Sequence, residues 1–314
     1  MMVFFLAEIP FPGWDPVAIH LGPINVRWYG LGYLGGFLIA GWILDRLGRQ
    51  GFVALTKHLV SDLIAWLVFG VLIGGRMGYA IFYEPHLLTH PLELIEIWTG
   101  GLSFHGGLAG VVIASWLFAR KHGIPWRRLA DALSLCIPAG IVLVRCANFI
   151  NGELYGRLAP ASVPWAMRFP TDPMARVLSP ELARGGSLHW HEAFVKLKAD
   201  GTWARILPDI PLRHPSQLYE ALFEGIVIGV ILWAVYARYR VRTPGTQHPA
   251  PRPGLFAALF LALYAVARFF VEFTRQPDAQ LGFVLGPFSM GQLLSVAVLI
   301  GAAALFFWPQ RQPT

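Results

Sequence analysis

An arginine, two asparagines and a glutamate stand between positions 145 and 153, where a long apolar segment ends: Arg145-Cys146-Ala147-Asn148-Phe149-Ile150-Asn151-Gly152-Glu153. Charge in such sequence is costly unless it pairs, reaches water or binds a ligand, so the stretch marks a functional site. Tyr29, Arg76, His105 and Arg268 place polar groups in four other apolar stretches. At the helical rise, Arg145 lies roughly 25 Å beyond Arg128, Arg76 about as far beyond Leu59, and Arg268 about 21 Å beyond Gly254. In a hydrocarbon core about 30 Å thick, these three approach one face of the bilayer. Tyr29 and His105 open the segments that enter from that face. Five segments therefore deliver polar groups to one half of the membrane. Arg268, Glu272 and Arg275 are spaced i, i+4, i+7 and share a helix face, so Glu272 can neutralise part of the charge and orient the arginines.

Arginine makes bidentate hydrogen bonds to phosphate, and at that depth the available phosphate is a phospholipid headgroup. Imidazole is the side chain best suited to proton transfer near neutral pH, which makes His105 the natural general base. Structural roles compete with each reading. Arg76 fits a snorkelling cation or a structural pair, Arg268 a partner of Glu272, His105 a helix-start residue, and Tyr29 beside Trp28 an aromatic belt. Ser103 beside His105 suggests a Ser–His nucleophile, but no third orienting group accompanies it. Cys136 and Cys146 are the two cysteines. They build neither a metal site nor a disulfide framework, and Cys146, a possible nucleophile, is more simply a small packing residue.

The elements that position these groups follow from composition. Only 14% of the 314 residues are charged, 55% are hydrophobic, and mean hydropathy is +0.53, against about 25% charge in soluble domains. The chain reads as an all-α polytopic membrane protein. Runs of about 20 apolar residues give about seven transmembrane helices, near 24–45, 59–83, 104–120, 129–150, 216–238, 254–274 and 288–308. Residues 1–150 comprise an N-terminal interfacial arm and helices one to four, 151–213 a small periplasmic head, and 214–314 helices five to seven. The apolar start at Met1-Met2-Val3 lacks a positive n-region and reads as a short interfacial helix, not a cleaved signal peptide.

The net charge of +7 reflects loop bias. Arg46, Arg49 and Lys57, then Arg120, Lys121, Arg127 and Arg128, then Arg240, Arg242 and Arg252, and finally Arg311 mark one side. The 84–103 loop has no Lys or Arg, and 275–287 has only Arg275. By the positive-inside rule the N-terminus and head face outward and the C-terminus is cytoplasmic. Gly70, Gly74 and Gly78 on segment two, and Gly106 and Gly110 on segment three, predict close helix packing. Pro138 with Gly140 predicts a kink in segment four.

The stretch from Arg145 through Asn148, Asn151 and Glu153 to Gly156 resembles the signature of the bacterial prolipoprotein diacylglyceryl transferases. Trp28-Tyr29-Gly30, Gly74-Gly75-Arg76-x-Gly78-Tyr79, Ser103-Phe104-His105-Gly106-Gly107, His214-Pro215-Ser216-Gln217-Leu218-Tyr219-Glu220, and Arg268 through Glu272 and Arg275 to Gln276-Pro277-Asp278 are similar to that family's blocks, in its order. Val144 stands where the signature usually has Gly, and Ala147 where it has Gly or Ala; no chemical group is lost. The head, about 157–212, carries no such block.

The resemblance implies transfer of the diacylglyceryl group of phosphatidylglycerol to the lipobox cysteine thiol of a prolipoprotein in the bacterial inner membrane, with release of glycerol phosphate. Its implied partners are phosphatidylglycerol, a prolipoprotein signal peptide and membrane lipids. It implies catalytic roles for His105, Arg145, Arg268 and Tyr29. Lipid contacts are expected from Arg145, Asn148, Asn151, Glu153, Gly156, Arg76, Glu272 and Arg275. No metal cluster or nucleotide motif appears, so no cofactor is expected, and no basic stripe with interleaved aromatics points to nucleic acid. The rival reading is a phospholipid transporter or scramblase, which would want its polar groups at the midplane. A third is a non-catalytic assembly or sensor protein.

Overall fold

The computed structural model describes residues 9–22, 24–97, 100–185, 189–240, 251–276 and 283–307. The expectations attached to the arm before residue 9, and to Arg242, Pro277, Asp278 and Arg311, lie outside them. The chain opens on a hairpin, β1 (Val17–Leu21) antiparallel to β2 (Ile24–Arg27). It then enters α1 (Trp28–Arg49), α2 (Lys57–Phe82), α3 (Pro91–Ile95), α4 (Phe104–Lys121) and α5 (Trp126–Ile150). Four short helices follow: α6 (Pro173–Leu178), α7 (Pro180–Gly185), α8 (Trp190–Ala199) and α9 (Thr202–Ile206). The helix α10 (Ser216–Glu220) runs through a π-helical stretch, Ala221–Val227, into α11 (Ile228–Arg240). The chain ends with α12 (Leu255–Val271), a short pair of strands β3 (Phe283–Leu285) and β4 (Phe288–Ser289), and α13 (Met290–Phe307).

Each apolar segment predicted from the sequence thus contains a helix. The fold is mostly helical, as expected, with two short hairpins beside the helices, and one boundary is corrected. The first segment begins at Trp28 rather than 24, because Ile24-Asn25-Val26-Arg27 pairs back across the turn at Gly22, where φ is +60°. Pro138 lies inside α5, which continues through it without a break. Among the described residues, α2, α5, Ser216–Tyr239 and α13 are long and apolar enough to cross a membrane. The helix α12 is apolar but shorter, α1 is diluted by Trp, Tyr and Gly, and α4 is bounded by His105 and Arg120-Lys121. This is a helical membrane protein.

The chain divides into two compact units. One comprises 37–136 and 237–258, and its axis is the α2–α4 pair. A Cβ at Gly70 would sit 2.7 Å from the Gly110 carbonyl oxygen, one at Gly74 2.8 Å from the Gly110 Cα, and one at Gly78 2.7 Å from the Gly106 Cα. The glycine spacing read from the sequence is therefore the contact surface itself. Thr56 and Ser103 cap α2 and α4, accepting from the amides of Leu59 and Gly106. Asp131 of α5, wholly buried, accepts from Gly254 N at 2.8 Å and Ala257 N at 3.0 Å. It thereby satisfies amides at the start of α12 that have no partner within that helix.

The other unit comprises 1–36, 137–236 and 259–314. Its core is aromatic: Phe11, Phe149, Phe169, Trp190, Phe194 and Trp203 pack with Met167, Leu182, Leu197 and Ile210. Phe149 comes from the end of α5, so the 151–213 region is built on that helix terminus. Arg213, bonded to Asp172 at 2.8 Å, pairs its backbone with Met167 and Leu158 and ties the region together.

Candidate active site

The end of α5 explains the spacing in its polar stretch. Gly152 adopts φ +65°, donates to the Phe149 carbonyl at 2.9 Å, and is followed by Glu153 donating to the Asn148 carbonyl at 3.1 Å. This is the Schellman pattern, which requires a left-handed residue and so favours glycine. The reversal returns the Glu153 carboxylate onto the helix it has just left. Its Oε1 accepts from Asn148 Nδ2 at 2.8 Å and Asn151 Nδ2 at 3.2 Å, while Asn148 Oδ1 accepts from Arg145 Nη1 at 3.3 Å. Leu154 then holds φ +58°, a conformation that strains a residue with a Cβ by about 1–2 kcal/mol. The following segment fixes it. Gln217 donates to the Glu153 carbonyl at 2.6 Å and Ser216 to the Leu154 carbonyl at 2.8 Å.

The other side of Arg145 meets a carboxylate that sequence reasoning placed in a motif but not in the site. Glu220, at the end of α10, is fully buried and takes Arg145 Nη2 at 2.7 Å, Arg268 Nη1 at 3.2 Å and Arg275 Nη1 at 3.3 Å. Glu224, one turn on, lies in the π-helical stretch at 3.6 Å from Arg268. Such stretches recur at functional sites because the widened turn re-aims its side chains. Arg268 Nη2 reaches Glu272 at 2.8 Å, the i, i+4 pair predicted from spacing. Glu272 in turn accepts from Ser289 Oγ at 2.9 Å and packs against Gly291, where a Cβ would lie 2.8 Å from its carboxyl carbon. Both Glu220 and Glu224 could have been found by the rule that flagged the arginines, since each interrupts an apolar run.

Three arginines and three carboxylates from α5, α10, α12 and their flanks are thus locked together. The acids are the hidden members. Glu220 and Glu224 are at most 1% exposed at their side chains, whereas Arg145, Arg268 and Arg275 keep 16–19%. The more accessible side chains of the cluster are its arginines.

The unit of 1–36, 137–236 and 259–314 brings the remaining predicted residues of this group into the same neighbourhood. Gly156 donates to the His214 carbonyl at 2.7 Å and bridges to Arg275; a Cβ there would collide with the Thr274 carbonyl. Arg157 donates from Nε to the Arg275 carbonyl at 2.7 Å, so the loop after α5 holds the backbone of Arg275. Tyr29, second residue of α1, lies 3.2 Å from the Tyr33 hydroxyl and within electrostatic reach of Glu153 and Arg145.

His105 and Arg76 belong to the unit of 37–136 and 237–258. His105 is the exposed second residue of α4, whose cap is Ser103; the Ser103 Oγ accepts from Gly106 N at 3.3 Å. Arg76 is buried and donates to four carbonyls: Leu94 at 2.9 Å, Gly100 at 2.6 Å, Gly101 at 3.3 Å and Glu93 at 2.7 Å. It organises the 84–103 loop, which lines a cavity of about 380 Å³ with Tyr79, Glu84, His86 and Glu93. Cys146 is exposed on α5, and Cys136 is buried with its thiol on the Ala132 carbonyl.

Comparison with known proteins gives these features a context. A family profile described as prolipoprotein diacylglyceryl transferase matches residues 16–308. A phosphatidylglycerol–prolipoprotein diacylglyceryl transferase of Gluconobacter oxydans is 41% identical over 304 residues, covering 96% of this chain and 95% of that protein. One of Neisseria meningitidis serogroup C is 41% identical over 290 residues, covering 92% and 93%. One of Ralstonia pickettii is 38% identical over 312 residues, covering 96% and 95%.

Proposed function

We propose, because the chain belongs to the prolipoprotein diacylglyceryl transferase family, that it moves the diacylglyceryl group of phosphatidylglycerol onto the lipobox cysteine thiol of a prolipoprotein, leaving a thioether and glycerol phosphate. The observation that carries the reading is the arginine cluster: Arg145, Arg268 and Arg275 converge on buried Glu220 while staying partly accessible themselves. A lipid phosphodiester there meets donors already oriented by carboxylates. Charge developing on the leaving phosphate is then stabilised by groups that need no reorganisation. The carrier reading gains no support from the relatives' names.

In this reading Arg145 and Arg268 hold the phosphate. Glu272 and Arg275 orient them, and Asn148, Asn151 and Glu153 fix Arg145 or the headgroup. Tyr29 and Gly156 line the site, and Arg76 acts through the loop it binds. His105 takes the thiol proton, since the thiolate is the nucleophile. About seven spanning helices, with the N-terminus and the 151–213 head on the periplasmic side of the inner membrane, suit the charge bias of the loops. Arg46 over Trp42 at 5.7 Å and Arg120 over Trp116 at 5.5 Å, at the ends of α1 and α4, fit interfacial cations on the opposite side.

The test uses purified protein in detergent with phosphatidylglycerol and a lipobox peptide, read by mass spectrometry for a diacylglyceryl adduct on cysteine. Wild type should form the adduct. Arg145→Ala should lose both adduct and bound lipid, and His105→Gln should lose the adduct but keep the lipid. An Arg145→Ala protein that retains lipid would overturn the phosphate role, and turnover in His105→Gln would overturn the base role.

A further inference from the structure

We propose that Glu224 takes up a proton when a lipid phosphate enters the arginine cluster, so that substrate binding and protonation of this buried carboxylate are coupled. The inference rests on the phosphate-site reading above. It starts from charge. Arg145, Arg268 and Arg275 are balanced by Glu220, Glu224 and Glu272 without any ligand. A phosphodiester brings one further negative charge into a largely desolvated site. An uncompensated buried charge is so unfavourable that the site neutralises it instead. Arginine does not give up its proton, so the compensation falls on a carboxylate.

Geometry selects which one. Glu220 holds all three arginines, the closest at 2.7 Å. Glu272 holds Arg268 at 2.8 Å and the Ser289 hydroxyl at 2.9 Å. Glu153 is occupied by Asn148 and Asn151. Both oxygens of Glu224 are buried, and among the described residues neither has a hydrogen-bond partner; its ion-pair contact is Arg268 at 3.6 Å. The groups facing it are Glu220 from its own helix, Arg145 from α5, Arg268 and Tyr264 from α12, and Arg275 beyond α12. Protonating Glu224 therefore breaks the fewest contacts. It also lets Arg268 turn from carboxylate to phosphate. One proton enters from water with each lipid phosphate, and no covalent bond changes.

Calorimetric titration of the full-length protein in detergent with short-chain phosphatidylglycerol, in buffers of different ionisation enthalpy, measures the protons taken up per lipid. Wild type should take up about one over part of the neutral range, and across that range its lipid affinity should fall by up to about tenfold per pH unit as pH rises. Glu224→Gln should bind lipid with no uptake and with an affinity flat in pH, while Glu224→Asp should keep the uptake. Uptake in Glu224→Gln equal to wild type would overturn the proposal, as would wild type binding lipid with no proton from pH 6 to 9. Should the Gln variant fail to fold, infrared difference spectra of wild type and Glu224→Asp decide it, because lipid must then raise a protonated-carboxyl band. Arg145→Ala and Arg268→Ala separate the two readings. If they bind lipid as wild type does, the phosphate site itself is refuted; if they lose it while Glu224→Gln still takes up a proton, only the coupling fails.

Discussion

Replacing Glu220 with Gln keeps the side chain's shape and removes the one charge that three arginines share at 2.7, 3.2 and 3.3 Å. The position is fully buried, so water cannot replace the lost interaction. Removing one partner of a buried ion pair destabilises by about 3–5 kcal/mol, and each 1.4 kcal/mol is about tenfold in an equilibrium constant. The folded-to-unfolded ratio should therefore drop more than a hundredfold. The cluster is left with one excess positive charge, which a lipid phosphate can neutralise. Phosphatidylglycerol should thus raise the melting temperature of Glu220→Gln more than that of wild type, while turnover falls because Arg145 and Arg268 lose their common anchor. Tryptophan fluorescence melts in detergent, with and without the lipid, read both effects. A variant that melts with wild type, or gains less from lipid than wild type does, would refute the claim that Glu220 balances the arginines.

Asp131→Ala leaves the amides of Gly254 and Ala257 without their acceptor and should destabilise by about 1–3 kcal/mol; an unchanged melting temperature would count against the cross-helix cap. Gly74→Ala forces a Cβ to 2.8 Å from the Gly110 Cα and should destabilise by about 1–3 kcal/mol through overpacking, whereas Gly140→Ala, with open space around it, should be far milder. Burial holds the His214 imidazole below its ordinary value near 6.5. The unfolded chain therefore takes a proton first as pH falls, and stability contributed by neutral His214 is present above that value and lost below it. Melting curves from pH 5 to 8 should be flatter for His214→Gln than for wild type, and parallel curves would exclude the effect.

The helices were legible because long apolar runs leave little alternative in a bilayer, and glycines four apart declare a contact face whatever their partner. The Arg268–Glu272 pair was legible for the same reason: its spacing is local. The partner of Arg145 was not, because Glu220 lies beyond the whole 151–213 region and no periodicity links the two. Arg76 shows the complementary difficulty. By type and depth it is indistinguishable from Arg145 in the sequence, yet its guanidinium is taken by backbone carbonyls in a loop turned by Gly100 and Gly101, at φ +92° and +74°. Backbone acceptors carry no residue-type signal. The β1–β2 hairpin was missed because its strands are short and its second one runs directly into α1.

The carboxylates bear on why such a site can exist before its substrate arrives. Three arginines held together in a low-dielectric region repel one another, and a phosphate that would reconcile them is present only part of the time. Glu220, Glu224 and Glu272 make the empty site stable, so lipid binding becomes an exchange of one anion for another rather than the filling of a bare cationic hole. That arrangement limits how tightly the lipid is held. Every contact the phosphate gains is set against one a carboxylate gives up, which leaves the strongest interactions for the moment when the leaving phosphate gathers additional charge. Interactions that grow in the transition state accelerate a reaction, whereas equal binding of both states does not. On the proposed reading, then, the acids beside Arg145 and Arg268 belong to the machinery of the transfer as much as the arginines do, and a variant that frees the arginines from them should bind its lipid better and turn it over worse.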